Sequence, residues 1–205
     1  RVLFRSYLST TKTASTAGTT ANLLAWTWHV LSTHPECAQR VRGELQSVLN
    51  GRAPVIEDLP RLPYTSMVLE ETMRLYPPAW ATTRITVSDD EIDGYRMRSG
   101  ESVLLSQWVT HRHPEFWDNP EGFDPERFTP ERSKNRPRFA YFPFGGGPRQ
   151  CIGNTFAMME AQIIVATILQ RYRLDLAPGA VIRPKPVIGL RPAPGVPVRL
   201  KPGAW

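Results

Sequence analysis

The chain has 205 residues, 41% hydrophobic and 21% charged, which sets a size of one domain or at most two and is enough to bury a core. Twenty prolines, about twice the usual ~5%, make much of the path irregular connection; the absence of a Gly-X-Y period excludes collagen, and six Trp, six Tyr and eight Phe argue against disorder. The 25 Lys and Arg against 19 Asp and Glu leave a net charge of +6, but these cations are dispersed, without a basic helix or interleaved aromatics, and read as a solvated basic surface rather than a nucleic-acid footprint.

Residues 1–12 contain no apolar run adequate for a signal peptide, and the stretch 22–31 falls far short of the ~18–20 apolar residues that span a bilayer. A membrane is not indicated, and a cytoplasmic location is expected. Ala21, Leu24, Ala25, Trp28 and Leu31 recur at three- and four-residue spacing, which predicts an amphipathic helix over 19–32. Ser32-Thr33-His34-Pro35 ends it and starts a second helix, with Pro35 in the first turn, Val41, Leu45 and Val48 as the buried stripe, and Asn50-Gly51 as the stop. After a Pro-punctuated connector at 51–63, a third helix over 64–75 is cut off by Pro77-Pro78, because the residue before a proline is pushed out of the helical region. Beyond Pro78 the period falls to two. Ile85 and Val87, Ile92 and Tyr95, and Val103 and Leu105 alternate with polar residues and read as short strands, parted by Asp89-Asp90 and Ser99-Gly100. Residues 111–128 are irregular and rich in Pro and Trp, 143–153 form a Gly-rich loop, 154–172 a further helix, and 178–202 a tail of edge strands among prolines. Helices segregated from small sheets make the class α+β, mainly helical.

The densest cluster of unusual residues is Phe144-Gly145-Gly146-Gly147-Pro148-Arg149-Gln150-Cys151-Ile152-Gly153. Three glycines let the backbone approach a ligand plane closely. Cys151 stands just before a helix start, where free N–H groups and the helix dipole favour a thiolate, suited to act as a nucleophile or as an axial ligand of a metal centre. Arg149 adds a cation for the carboxylates of a bound cofactor. A phosphate-cradling loop is disfavoured because no Lys-Ser/Thr follows the glycines, and structural zinc because no second Cys or His lies nearby. Cys37, far from Cys151 in sequence, reads as an inert buried thiol in a reducing compartment.

Phe144-x-x-Gly147-x-Arg149-x-Cys151-x-Gly153 matches every fixed position of the haem-binding signature of cytochrome P450 monooxygenases, and the chain resembles that family. Three further matches follow the family's order: Glu71-x-x-Arg74, Pro125-Glu126-Arg127-Phe128, and the preceding His111-Arg112-His113-Pro114 with Trp117. The resemblance implies haem b with Cys151 as the proximal thiolate ligand of iron. It further implies that Phe144 packs beside ligand and macrocycle, that Arg149 and Arg84 pair with the haem propionates, and that Glu71, Arg74 and Arg127 form a structural network. Segments 78–83 and 187–190 would line a pocket for a hydrophobic substrate. Dioxygen and an acidic redox partner, a ferredoxin or flavoprotein reductase, complete the expected set, the basic surface suiting such a partner.

Where the family's distal helix carries an acid before its threonines, this chain reads Ala17-Gly18-Thr19-Thr20, leaving Thr19 as the candidate oxygen-activating hydroxyl with no acid beside it. Residues 1–205 are read as a partial cytochrome P450 domain. Within it 1–16 is atypical and 17–200 is family-like, the C-terminal part of that fold from the distal helix through the haem loop to the last strands. An apolar cofactor with one face open forgoes burial at roughly 25 cal/mol per Å2, so this polypeptide alone is expected to bind haem weakly or not at all. The alternative is a truncated, catalytically silent fragment of such an enzyme.

Overall fold

The computed structural model describes residues 16–202. The stretch 1–15, expected to be atypical, lies outside the described residues. Helices run in the order α1 (Thr16–Thr33), α2 (Pro35–Leu49), α3 (Pro63–Leu75), α4 (Gln107–Thr110), α5 (Pro130–Ser133) and α6 (Asn154–Leu169). The strands are β1 (Thr82–Ile85), β2 (Asp90–Ile92), β3 (Tyr95–Met97), β4 (Ser102–Leu105), β5 (Tyr172–Leu176), β6 (Arg183–Pro186), β7 (Leu190–Ala193) and β8 (Val198–Pro202). They pair as four two-stranded antiparallel ladders, β1–β4, β2–β3, β5–β8 and β6–β7, and the whole is the mainly helical α+β arrangement expected.

Helix α1 buries Leu23, Trp26, Trp28, Val30 and Leu31, residues on more than one side, because α2, α3, α6 and β5 all pack on it. Helix α2 begins at Pro35 and stops where Asn50 turns left-handed at φ 46° and donates its N–H to Gln46 O, followed by Gly51 at φ 84°. Its buried stripe is Val41, Leu45 and Leu49; Val48, expected in that stripe, is only partly buried, since Leu49 lies one full turn beyond Leu45 and takes the inward place. Helix α3 starts under a cap supplied from α2. Glu44 Oε1 accepts the Tyr64 N–H (2.6 Å), while its Oε2 accepts the Thr65 N–H (2.9 Å) and hydroxyl (2.6 Å). Helix α3 ends at Leu75, ahead of the Pro pair, and the Tyr76 ring stacks on Trp26 at 4.0 Å.

The helix expected over 154–172 stops at Leu169. Residues 172–176 alternate, place Leu174 in the core and pair with β8, so ladder formation wins the last turn from the helix. A single core joins α1, α2, α3 and α6 with β5 and β8, through Leu23, Val41, Leu45, Val68, Leu69, Val165, Leu174 and Val198. The turn between β6 and β7 is fastened to α1 and to the chain after α3. Trp26 Nε1 donates to Leu190 O (3.1 Å), the Leu190 N–H to Pro78 O (2.9 Å) and Trp80 Nε1 to Val187 O (2.9 Å). Of the period-two residues after Pro78, Ile85, Val87, Ile92, Tyr95 and Leu105 are exposed and Val103 is half-buried, so this pattern does not face the core; Val87 lies beyond β1.

Candidate active site

The Gly-rich loop is folded by its own backbone. The Gly145 N–H donates to Phe142 O (2.9 Å), a short 3-10 turn spans Gly147–Arg149, and the Cys151 N–H returns to Phe144 O (3.0 Å). Gly145 and Gly147 sit at φ 73° and 67°, a region L side chains rarely adopt, so these two glycines are required by the turn itself. Gly146 lies against Phe139, whose ring would come within 2.7 Å of an added Cβ. Gly153 immediately precedes α6, and a Cβ there would stand 3.9 Å from Cys151 Sγ. Cys151 is exposed and free. Cys37 is free and buried, with its thiol pushed up chiefly by burial.

A cavity of about 390 Å3 opens at this loop. Its walls are Phe144, Gly145, Arg149, Cys151 and Gly153 from the loop, Thr19, Thr20 and Leu23 from α1, Met73 from α3, Ala157 from α6, and Pro78, Ala79, Thr82 and Arg84 from the chain leading into β1. The fold thus gathers Thr19, Arg84, Phe144, Arg149, Cys151 and Gly153 around one space, although Thr19 and Cys151 are 132 positions apart in the chain. Gly147 is the one residue of the loop signature that stays off the wall. The turn 187–190, expected on the pocket, instead packs on α1 and Pro78. Sequence reasoning does not single out Leu23, Met73 or Ala157; the available signal is that Leu23 lies four residues after Thr19, on the same face of a helix.

Glu71 and Arg74, on the same helix that brings Met73 to the cavity, meet Arg127, and all three are buried. Arg74 has five N–H groups and each has an acceptor: Nε and Nη2 donate to the Glu71 carboxylate (2.6 and 2.8 Å), Nη2 also to Gly122 O (2.8 Å), and Nη1 to His111 O (2.9 Å) and Pro120 O (2.6 Å). Arg127 Nε lies 3.3 Å from Glu71 Oε1, and its Nη1 reaches Asp118 at 2.6 Å. The Asp124 N–H donates to Glu71 Oε1 (2.9 Å). Burial pushes the Glu71 carboxyl upward, and Arg74, the Asp124 amide and Arg127 oppose that push. Trp117, buried, lies under both Arg74 and Arg136, whose guanidinium carbons are 5.1 and 4.3 Å from its ring centre. The motif residues of 111–128 therefore pack directly onto α3.

What such a cavity can hold follows from its walls. Among the described residues no three His, Cys, Asp or Glu side chains cluster to hold a bare metal ion. One thiol on a mostly apolar wall with two arginines suits a metal that brings its remaining ligands with it inside a flat, largely apolar, anionic group. The sequence profile of the family described as Cytochrome P450 matches residues 9–196.

The chain belongs to the cytochrome P450 family. Over 176 residues this P450 chain is 44% identical to cyclooctatin synthase of Streptomyces melanosporofaciens, a match covering 86% of the chain and 38% of that protein. Over 166 residues it is 41% identical to pentalenene oxygenase of Streptomyces avermitilis, covering 81% of the chain and 37% of that protein. Its fold superposes on the crystal structure of the cytochrome P450DA heme domain with a TM-score of 0.86 at 31% identity, over 91% of this chain and 42% of that one. The P450 chain thus spans about two fifths of the length of these relatives. No helix among its described residues is long and apolar enough to cross a membrane.

Proposed function

We propose that this chain carries the thiolate-ligand side of a haem-thiolate monooxygenase, which inserts one atom of O2 into a hydrophobic organic substrate. The observation that carries the reading is the single cavity onto which Cys151, Phe144, Arg149, Arg84 and Thr19 converge. Haem b, when bound, would supply the redox centre at which dioxygen is reduced. Cys151 Sγ would hold the iron, its exposure on the cavity wall leaving it accessible. Arg84 and Arg149, on the cavity wall, would pair with the two propionates, and Phe144, partly buried against the core, braces the loop. Leu23, Met73, Pro78 and Ala79 keep water from the substrate and set its apolar character. Thr19 places a hydroxyl on the cavity wall for proton transfer, with Gly18 in the place an acid would occupy. Glu71, Arg74 and Arg127 hold α3 and the 111–128 segment in register. Electrons come from an acidic ferredoxin or flavoprotein reductase drawn to the basic surface. Pentalenene, from which the Streptomyces avermitilis relative takes its name, is the first substrate probe.

Haemin titrated into residues 1–205, followed by reduction and carbon monoxide, tests the reading. A thiolate-type Soret band that survives Cys37→Ser and disappears in Cys151→Ser supports it; no haem uptake at all, or a band indifferent to Cys151→Ser, overturns it for residues 1–205. Gly18 beside Thr19 favours a second reading, a catalytically silent fragment that keeps the ligand loop. That reading predicts a Cys151-dependent band with no substrate turnover under any electron donor.

A further inference from the structure

We propose that His111 is a positioning residue for Cys151, the buried acceptor from which the register of the whole ligand loop is hung. Its ring is fully buried, packed by Tyr141 (centroids 5.2 Å) and Phe142 (5.3 Å), and its Nε2 lies 2.9 Å from the Phe142 backbone N–H. An N–H can approach Nε2 at that distance only if the nitrogen offers a lone pair, so the ring is neutral and its proton sits on Nδ1. From this bond the chain of contacts is continuous: His111 Nε2 holds the Phe142 N–H, Phe142 O holds the Gly145 N–H (2.9 Å), and Phe144 O holds the Cys151 N–H (3.0 Å). At its other end His111 is tied by backbone, its N–H to Gln107 O (2.9 Å) and its carbonyl to Arg74 Nη1 (2.9 Å). One residue therefore fastens the loop to the Glu71–Arg74–Arg127 network.

The surroundings keep the ring neutral. Burial lowers its pKa to about 3, the charges of Arg74 and Arg112 press the same way, and the Met73 and Arg74 backbone opposes them in part. Tyr141, the other ionisable side chain packed on the ring, stays protonated because burial pushes its hydroxyl well above the ordinary value. A charged His111 would have no lone pair at Nε2 and would orphan the Phe142 amide inside the protein.

The proposal rests on Cys151 being the iron ligand of the proposed function, but its test is read without haem, so failure to bind haem and failure of this inference are distinguishable. Nitrogen-15 correlation spectra of the unsubstituted chain should show His111 as the Nδ1–H tautomer with shifts constant from pH 5 to 8. An Nε2–H tautomer, or titration within that range, overturns the proposal without recourse to any variant. His111→Leu should raise hydrogen exchange at the Phe142 amide about tenfold, the equivalent of one lost buried hydrogen bond, and change the alkylation rate of Cys151. His111→Gln, which keeps an acceptor near the Nε2 position, should restore both. Equal effects of Leu and Gln on Cys151 alkylation would mean that His111 only fills space, and would sink the idea.

Discussion

Two adjacent carboxylates in α3, Glu71 fully buried and Glu70 partly so, have different partners. Glu71 faces two guanidinium groups and a backbone amide, whereas the charge acting on Glu70 is that of Arg136, and burial raises Glu70 to about 7. The unfolded chain releases this proton near pH 4.5 and the folded chain retains it until about 7. Glu70 thus contributes stability that is full below pH 4.5 and is lost as pH rises through 7, where the folded state must ionise a desolvated group. Glu70→Gln should match the parent near pH 4.5 and exceed it at pH 8 by up to about 3 kcal/mol, the rise from 4.5 to about 7 taken at 1.36 kcal/mol per pKa unit, as read from urea midpoints across that range. A variant no more stable than the parent at pH 8 would refute the assignment. At this scale the sequence is a partial guide. Glu71 and Arg74 are visible as an i, i+3 pair, but that spacing alone describes a surface pair worth a few tenths of a kcal/mol. The carbonyls of His111, Pro120 and Gly122 that complete Arg74 come from 37, 46 and 48 residues downstream, and no local pattern announces them.

At the scale of elements, periodicity located α1, α2 and α3 to within a few residues because Pro and Asn-Gly punctuate α2 and α3 at both ends and Pro35 follows the end of α1. It misplaced the end of α6, where the pairing partner that draws residues 172–176 into a strand lies in the distant segment 198–202. It also revealed nothing of how α3 is held at its start. The Glu44 carboxylate, reaching across from α2, satisfies two of the N–H groups that a helix N-terminus leaves open and sits at the positive end of the helix dipole. Glu44→Ala should cost about 1–2 kcal/mol in urea unfolding, as loss of a cap does, and Glu44→Gln less because one oxygen remains to accept. Equal losses for the two would assign the effect to helix packing. Because α3 carries Glu71 and Arg74 as well as the cavity residue Met73, this cap bears on the site as well as on stability.

At the scale of the molecule, Thr19, Arg84, Phe144, Arg149, Cys151 and Gly153 were legible as motif residues that the family resemblance gathers about one group, whereas Leu23, Met73 and Ala157 were not, since their places on the wall depend on α1, α3 and α6 sharing one core. The strand pattern was legible too, but not which way it faces, and the β1–β4 ladder turns apolar residues outward. Thr83 pairs with Leu104 and Ile85 with Ser102, and Ile85 and Leu104 are 67% and 60% exposed. Ile85→Lys and Leu104→Lys should therefore leave the thermal midpoint of this chain nearly unmoved, within about 0.5 kcal/mol, while reducing its self-association in sedimentation. A fall in thermal midpoint would show that the face is covered within the chain.

The four ladders share no strands, so unzipping one breaks no backbone bond in another. In β2–β3 every residue but Met97 is exposed, and Asp93 and Gly94 turn the corner at φ 50° and 81°. That hairpin is a detachable flap on a frame that does not depend on it. A peptide tag or fluorophore spliced between Asp93 and Gly94 would ride on the molecule while the cysteine loop and its supports keep their places.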